Sequence, residues 1–282
     1  MEIPKPLRIF QELLAFEHTI SDISIVYIGM LLAPGITLYK FFFITLAFLS
    51  ARPAALMINR YVGRKFDVSN KKKAYMLSLN ISRPSILLMA AAFAVIFIGS
   101  AYMLNTLSFA LSFVVLALFV LDPVSKGLTP HRHFGIGLIE GLGCLGGYIG
   151  TTGSFPTSLP AYLIVLAAIF IGGGADIIYT IRHEKFDANH DLKTYPVKYG
   201  VRKSLEYSLY SNAAAGAILM LFGLYISSVA VVVGAIISTI VLVSYTKNIN
   251  YKDDRESYVQ ATSIKSNVWT IMLLAVILYK FI

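Results

Sequence analysis

Residues 159–187 read LPAYLIVLAAIFIGGGADIIYTIRHEKFD. The run from Leu159 to Gly173 carries no charge, and Asp176, Arg182, His183, Glu184, Lys185 and Asp187 follow it closely. Such a run suits hydrocarbon better than a water-facing helix. Acidic groups gathered where it leaves the apolar region are costly, and costly polar groups mark functional candidates. The stretch predicts a membrane-spanning helix that ends in a polar site.

Similar blocks recur along the chain at Leu87–Ala101, Leu107–Leu121, Ala213–Tyr225 and Ser263–Ile282. Over all 282 residues, 57% are hydrophobic and only 14% charged, against roughly 25% charged in soluble domains. One buried core cannot absorb so many apolar blocks. The pattern predicts an all-α, polytopic membrane protein: a bundle of about nine transmembrane helices around a central cavity open to lipid. The spans fall near residues 20–34, 38–62, 82–103, 107–122, 133–152, 158–182, 203–224, 226–246 and 263–281. The chain reads as a single domain, 1–282, made of two pseudo-repeats (20–122 and 133–246) and a final helix.

The linkers alternate between two kinds. Long basic ones lie at Gly63–Asn80, Pro123–Arg132, His183–Lys203 and Lys247–Lys265; short, nearly uncharged ones lie at Pro34–Thr37, Asn105–Thr106, Gly153–Thr157 and around Ser227. By the positive-inside rule the amino terminus and the long loops are cytoplasmic and the carboxyl terminus is outside, in the cell membrane. Met1–Glu17 is mixed and charged and reads as a cytosolic amphipathic lead-in, with no secretory signal. The net charge of +9 sits beside the spans, where it sets topology and meets anionic membrane lipid. No aromatic-basic platform accompanies it, so nucleic acid is excluded as a partner. The lone Cys144 cannot form an internal disulfide and reads as a small packing residue. The glycines from Gly135 to Gly150 read as close helix contacts.

Two segments carry the candidate chemistry. Asn59, Gly63 and Asp67 are spaced i, i+4, i+8 along one helix face; Asp176, His183 and Asp187 are spaced i, i+7, i+11, which again makes one stripe. Gly63 and His183 stand 120 positions apart (183 − 63), as do Asp67 and Asp187 (187 − 67).

Taken together these segments resemble the UbiA family of intramembrane prenyltransferases, and the 4-hydroxybenzoate polyprenyltransferase branch in particular. That family carries N-x-x-x-D-x-x-x-D after its second helix and D-x-x-x-x-x-x-D-x-x-x-D after its sixth. Asn59 and Asp67 match the first, Asp176 and Asp187 the second. Phe16–Thr19, Ala51-Arg52 with Asn59-Arg60, Lys126–Thr129 with His133 and Gly135–Leu138, and Tyr195–Gly200 resemble further family stretches in the same order. There are departures. Gly63 and His183 replace one aspartate of each motif, Asp122 replaces a tyrosine, and Asn70–Lys73 replaces Asn-Pro-Arg-Thr.

The resemblance implies Mg2+-dependent transfer of a polyprenyl group from its diphosphate to a small acceptor. In that reading Asn59, Asp67, Asp176 and Asp187 hold the metal, and Asp67, Asp176, Asp187 and Lys126 form the catalytic set. Asn59, Arg64, Lys126, Tyr179 and Arg52 contact substrate. Tyr179 either faces the reacting centre or lines the tunnel. Histidine is a poor Mg2+ ligand, so His183 either compensates charge or pairs with Asp187. Asp122 is a helix stop or a substitute ligand, and Glu140 either bonds a neighbour or touches substrate. An aromatic acid for quinone biosynthesis is the first acceptor implied, a glycerol phosphate lipid the second. A non-catalytic isoprenoid-binding relative and a transporter are the competing classes.

Overall fold

The computed structural model describes residues 16–69, 82–250 and 254–282, with side chains throughout except at 16–21, 64–69, 126 and 254–262. The side chains of Arg64, Asp67 and Lys126, and the segment Asn70–Lys73, therefore lie outside the described residues. Among the described residues ten α-helices follow in order: α1 (Phe16–Leu32), α2 (Leu38–Ser69), α3 (Arg83–Leu104), α4 (Thr106–Val124), α5 (Arg132–Thr152), α6 (Pro160–Ile181), α7 (Glu184–Asn189), α8 (Tyr195–Tyr225), α9 (Val229–Asn248) and α10 (Asp254–Phe281). A 3-10 turn, Ser125–Gly127, joins α4 to the approach of α5. Among the described residues there is no strand.

Among the described residues eight of these helices are long and apolar enough to cross a membrane, against the nine spans expected; at the position of the first expected span lies a shorter apolar helix, Asp22–Leu32. The chain is an all-helical membrane protein. Helices extend further at the long-loop end than the hydropathy pattern indicates. α2 continues to Ser69, α8 starts at Tyr195 and α10 at Asp254, because polar residues continue a helix beyond the apolar window. Within α8 the backbone breaks at Gly200 (φ 77°, ψ 162°), a conformation essentially reserved for glycine.

Helix ends are set by side chains at the short-loop end. Asn105 closes α3 with its own N–H on Ala101 O (3.3 Å). Its Oδ1 then accepts from Ser108 N–H (2.8 Å), starting α4. Its Nδ2 donates to Ile149 O on α5 (2.9 Å), so one residue ties three helices. Ser228 caps α9 in the same manner, and Ser82 does so for α3 at the long-loop end.

α6 is the central post, 61% buried over its most apolar window, whereas α4 is only 17% buried and turns its apolar side outward. Large apolar residues on α3 and α4, such as Leu88, Val95, Val114 and Leu121, are exposed, as expected of lipid-facing surface. α5 lies between α1 and α6 at backbone contact. A Cβ at Gly29 would stand 1.8 Å from the Cys144 carbonyl oxygen, and one at Gly172 would stand 2.5 Å from Gly137 Cα. Of the glycines read as packing residues, Gly137, Gly141, Gly143, Gly147 and Gly150 meet a neighbouring helix, whereas a Cβ at Gly135 or Gly146 would meet nothing within 4 Å; the fully buried Cys144 is the opposing face of the α1 crossing.

The expected single stripe of Asp176, His183 and Asp187 is corrected by the structure. α6 ends at Ile181 and α7 begins at Glu184, with His183 (φ −107°, ψ 2°) at the junction. Thr180 Oγ1 donates back to Ile177 O (2.9 Å) and His183 N–H closes a tight turn on Thr180 O (2.9 Å). The helix ladder is thus replaced by i−3 bonds where four polar residues succeed the apolar run.

Gly29→Val is expected to destabilise the bundle by about 1–3 kcal/mol or more, since a side chain must displace backbone. Gly99→Ala, whose Cβ meets nothing within 4 Å, is the control. Thermal unfolding in detergent should show a lowered midpoint for the first variant only.

Candidate active site

A cavity of about 430 Å³ opens among α1, α2, α3, α4, α5 and α10. Its walls are mostly apolar, with Phe48, Phe97, Phe119 and Phe155 among the residues on them. Its polar groups are Asp22, Arg52, Asn59, Asp122, Glu140 and Lys265, together with Ser108 and Ser112.

Two charge clusters organise this region. In the first, Arg52 Nη2 of α2 meets Asp22 Oδ2 of α1 at 2.7 Å. Across the cavity, Lys265 Nζ of α10 donates to Glu140 Oε2 of α5 at 2.9 Å, and Trp269 Nε1–H, one turn along α10, donates to Oε1 at 2.7 Å. The Glu140 and Asp22 side chains are only 7% and 6% exposed. At such burial a lone carboxylate costs several kcal/mol, so each needs its cation. Lys265 is also within electrostatic reach of Asp22 and Arg52, which makes the four charges one network.

In the second cluster, Asp176 Oδ2 of α6 lies 2.5 Å from His133 Nδ1 and 3.8 Å from Arg132 Nη2. The same guanidinium nitrogen lies 3.9 Å from Asp122 Oδ1 at the end of α4. His133 Nε2 accepts from the Tyr195 backbone N–H (3.4 Å). The ring proton therefore sits on Nδ1 and is donated to Asp176. The Tyr195 hydroxyl meets His131 Nδ1 at 3.0 Å, and its ring packs against those of His133, Phe134, Tyr199 and Tyr207.

The sequence-derived candidates fall into three groups. Arg52, Asn59 and Asp122 stand on the cavity wall. Asp176 is joined to Asp122 through Arg132. Tyr179, His183 and Asp187 follow along the end of α6 and into α7. Tyr179 packs its ring against His183 (5.5 Å between centroids) and carries the Arg182 guanidinium over its face (5.5 Å). Asp187 is buried, its N–H donating to His183 O (2.8 Å) and its carbonyl accepting from Leu192 N–H (2.9 Å). Among the described residues no three His, Cys, Asp or Glu side chains converge on one point. Asn59, Asp176 and Asp187 nonetheless offer oxygen donors only, the chemistry that Mg2+ selects.

A family model described as the UbiA prenyltransferase family matches residues 23–277. The chain belongs to the UbiA prenyltransferase family. Its fold is shared with an apo UbiA homologue from Aeropyrum pernix K1 at 25% identity and a TM-score of 0.83, covering 94% of this chain and 98% of that one. A UbiA homologue from Archaeoglobus fulgidus bound to GPP and Mg2+ matches at 16% identity and a TM-score of 0.75, covering 97% of this chain and 100% of that one. A digeranylgeranylglyceryl phosphate synthase matches at 18% identity and a TM-score of 0.70, covering 97% and 98%. A structure of a UbiA homologue from Archaeoglobus fulgidus bound to Cd2+ also matches, at 15% identity and a TM-score of 0.66. No curated protein matches the sequence.

For a UbiA-family chain, the Glu140 network is the feature that motif reading does not reach. Glu140 was legible as an expensive group awaiting a partner. Lys265 and Trp269 went unnoticed, although a lysine at the start of the final apolar run with tryptophan at i+4 was the available signal. Asp22 escaped because it belongs to no motif. Of the two roles left open for Glu140, the structure gives it bonded neighbours and a place on the cavity wall.

Glu140→Ala strands the Lys265 ammonium and is expected to cost about 3–5 kcal/mol. Adding Lys265→Met should return a large part of that loss. A double-mutant cycle on thermal midpoints measures the coupling, and additive losses would contradict the pairing.

Proposed function

We propose that this protein is a Mg2+-dependent intramembrane prenyltransferase that moves a polyprenyl group from its diphosphate to a small acceptor seated in the cavity. The observation that carries the reading is one apolar cavity whose wall holds Asn59 and Asp122, with Asp122 linked through Arg132 to Asp176. The first of these residues belongs to one acidic segment and the last to the other. An isoprenoid tail needs an apolar passage, and a diphosphate needs concentrated positive charge at its end. Family membership supports the same reaction.

Asn59, Asp67, Asp176 and Asp187 would hold Mg2+, which, when bound, neutralises the diphosphate and favours its departure. His133, fixed by the Tyr195 N–H, holds the Asp176 carboxylate in one orientation, and Arg132 holds it against Asp122. Lys126 and Arg64 offer charge to the phosphate oxygens, and Tyr179 stands one turn beyond Asp176. The allylic C–O bond breaks with its electron pair going to the diphosphate. The acceptor's nucleophilic atom then forms the new bond to carbon and gives up its proton. The apolar wall keeps water from the allylic carbon.

An aromatic acceptor with the ring frame of 4-hydroxybenzoate, as in quinone biosynthesis, suits a cavity bordered by several phenylalanines. A glycerol phosphate lipid is the second candidate. The long basic loops support a cytoplasmic side for the acidic segments.

Binding tests the metal site directly. A prenyl thiodiphosphate should raise the thermal midpoint of the purified protein only when Mg2+ is present, because a ligand confined to the folded state stabilises it. Asp67→Ala and Asp187→Ala should each abolish that rise, and an unchanged rise in both would refute the assignment. Gly63→Asp combined with His183→Asp is expected to tighten Mg2+ binding about tenfold, or about 1.4 kcal/mol. Unaltered affinity would show that the two positions do not face a shared metal.

A further inference from the structure

We infer that Gly146 limits the length of the prenyl chain, whose far end lies in the space that its missing side chain leaves open. This rests on the prenyl-transfer reading for the identity of the chain, though not for the space that receives it.

Glycine is a poor helix former in a helix interior, and most α5 glycines have a packing reason to be there. Gly143 and Gly147 press against α1, Gly137 and Gly141 against α6, and Gly150 against Ile44 and Leu104. Gly146 sits among them on the cavity wall, yet a Cβ there would meet nothing within 4 Å. It shares a helical stripe with Ile139, Leu142 and Ile149, which also line the cavity. Gly146 is thus a gap in the apolar face that α5 turns to the cavity.

The charges divide the wall. Asp22, Arg52, Glu140 and Lys265 stand on α1, α2, α5 and α10, paired with one another. Beyond Asp122 at the long-loop end, α3 and α4 contribute Phe97, Leu104, Leu111, Val115 and Phe119. Ser108 and Ser112 lie between them, and Ser112 turns its hydroxyl onto Phe109 O (2.6 Å). An isoprenoid tail is most stable along this apolar side, with its diphosphate at the long-loop end.

α5 lines the cavity from Ile136 to Ile149, a run of about 20 Å at about 1.5 Å per residue. An isoprene unit adds four carbon–carbon bonds, about 5 Å in extended form at about 1.5 Å per bond, so the run holds about four units. By the same helical rise Gly146 lies about 15 Å along it, level with the last unit. Past Gly146 the helices close together. Ile44 and Leu104 stand 3.0 and 3.1 Å from the position of a Cβ on Gly150, and Asn105 Nδ2 donates to Ile149 O (2.9 Å). A side chain at position 146 therefore shortens the space without displacing a helix contact.

Gly146→Leu fills that space. Gly99→Leu is the control, since Gly99 lies on α3 off the cavity wall and its Cβ also meets nothing within 4 Å. Full-length protein in lipid nanodiscs is titrated with thiodiphosphates of two and four isoprene units in the presence of Mg2+. The matching alcohols, geraniol and geranylgeraniol, are titrated in parallel. Partition into lipid is common to all variants, so each ligand is compared between proteins. Gly146→Leu should weaken the four-unit ligands at least about tenfold and leave the two-unit ligands within about twofold, because an overfilled site rejects only the part of the chain that reaches it. Gly146→Ala, which favours the helix, should act in the same direction by a smaller factor. Equal weakening at both lengths, no weakening at either, or the same pattern in Gly99→Leu would overturn the inference. The alcohols separate the two readings. Thiodiphosphates that fail to bind while the alcohols keep the length effect refute prenyl transfer alone. Mg2+-dependent thiodiphosphate binding without a length effect refutes the role of Gly146 alone, and no binding of any ligand refutes both.

Discussion

A carboxylate carried into an apolar helix bundle must meet a cation or be expelled, and at Glu140 it meets Lys265 and Trp269 within 3 Å. This requirement fixes more than one contact. It ties the last helix, α10, to α5 through side chains. The parallel pair Asp22–Arg52 draws α1 onto α2. The Asp122–Arg132–Asp176 chain joins the ends of α4, α5 and α6. The polar end of the cavity is thus a set of closed ion pairs, and their closure decides which groups are left to bind a ligand.

Glycine supplies the second constraint. α5 can carry Glu140 to the cavity and His133 to Asp176 because its glycines let α1 and α6 approach at backbone distance. With any larger residue at Gly137 or Gly29 the helix would stand further off, and Asp176 would lose the reach of His133. Packing in the bilayer-facing part and geometry at the polar end therefore depend on the same helix. The site also draws on distant sequence. Tyr195, which follows the α6–α7 turn, sets the tautomer of His133 through its backbone N–H.

Much of this was legible beforehand. The apolar blocks gave the helices, since length and hydropathy alone decide whether a segment suits hydrocarbon. Asn59, Gly63 and Asp67 do share the continuous helix α2, as their spacing indicates. Spacing failed at Asp176, His183 and Asp187 because a helical period holds only while the ladder continues, and Thr180 and His183 end it with shorter bonds. Glu140 announced its need for a partner. Which cation would answer depended on how α10 folds back over 125 residues of sequence, a tertiary fact that no local pattern encodes. The acidic motifs pointed to the family, whereas the ion pairs on the cavity wall lie outside them at Asp22, Glu140 and Lys265.

The most direct test of the central claim is a turnover measurement in membranes or detergent. A radiolabelled polyprenyl diphosphate would be supplied with a phenolic acceptor, with Mg2+ and with a chelator in its place. The account predicts labelled prenylated phenol in the presence of Mg2+ and none with the chelator. Prenylated product formed equally under both conditions, or none from any phenol by a protein that still binds the diphosphate, would contradict it.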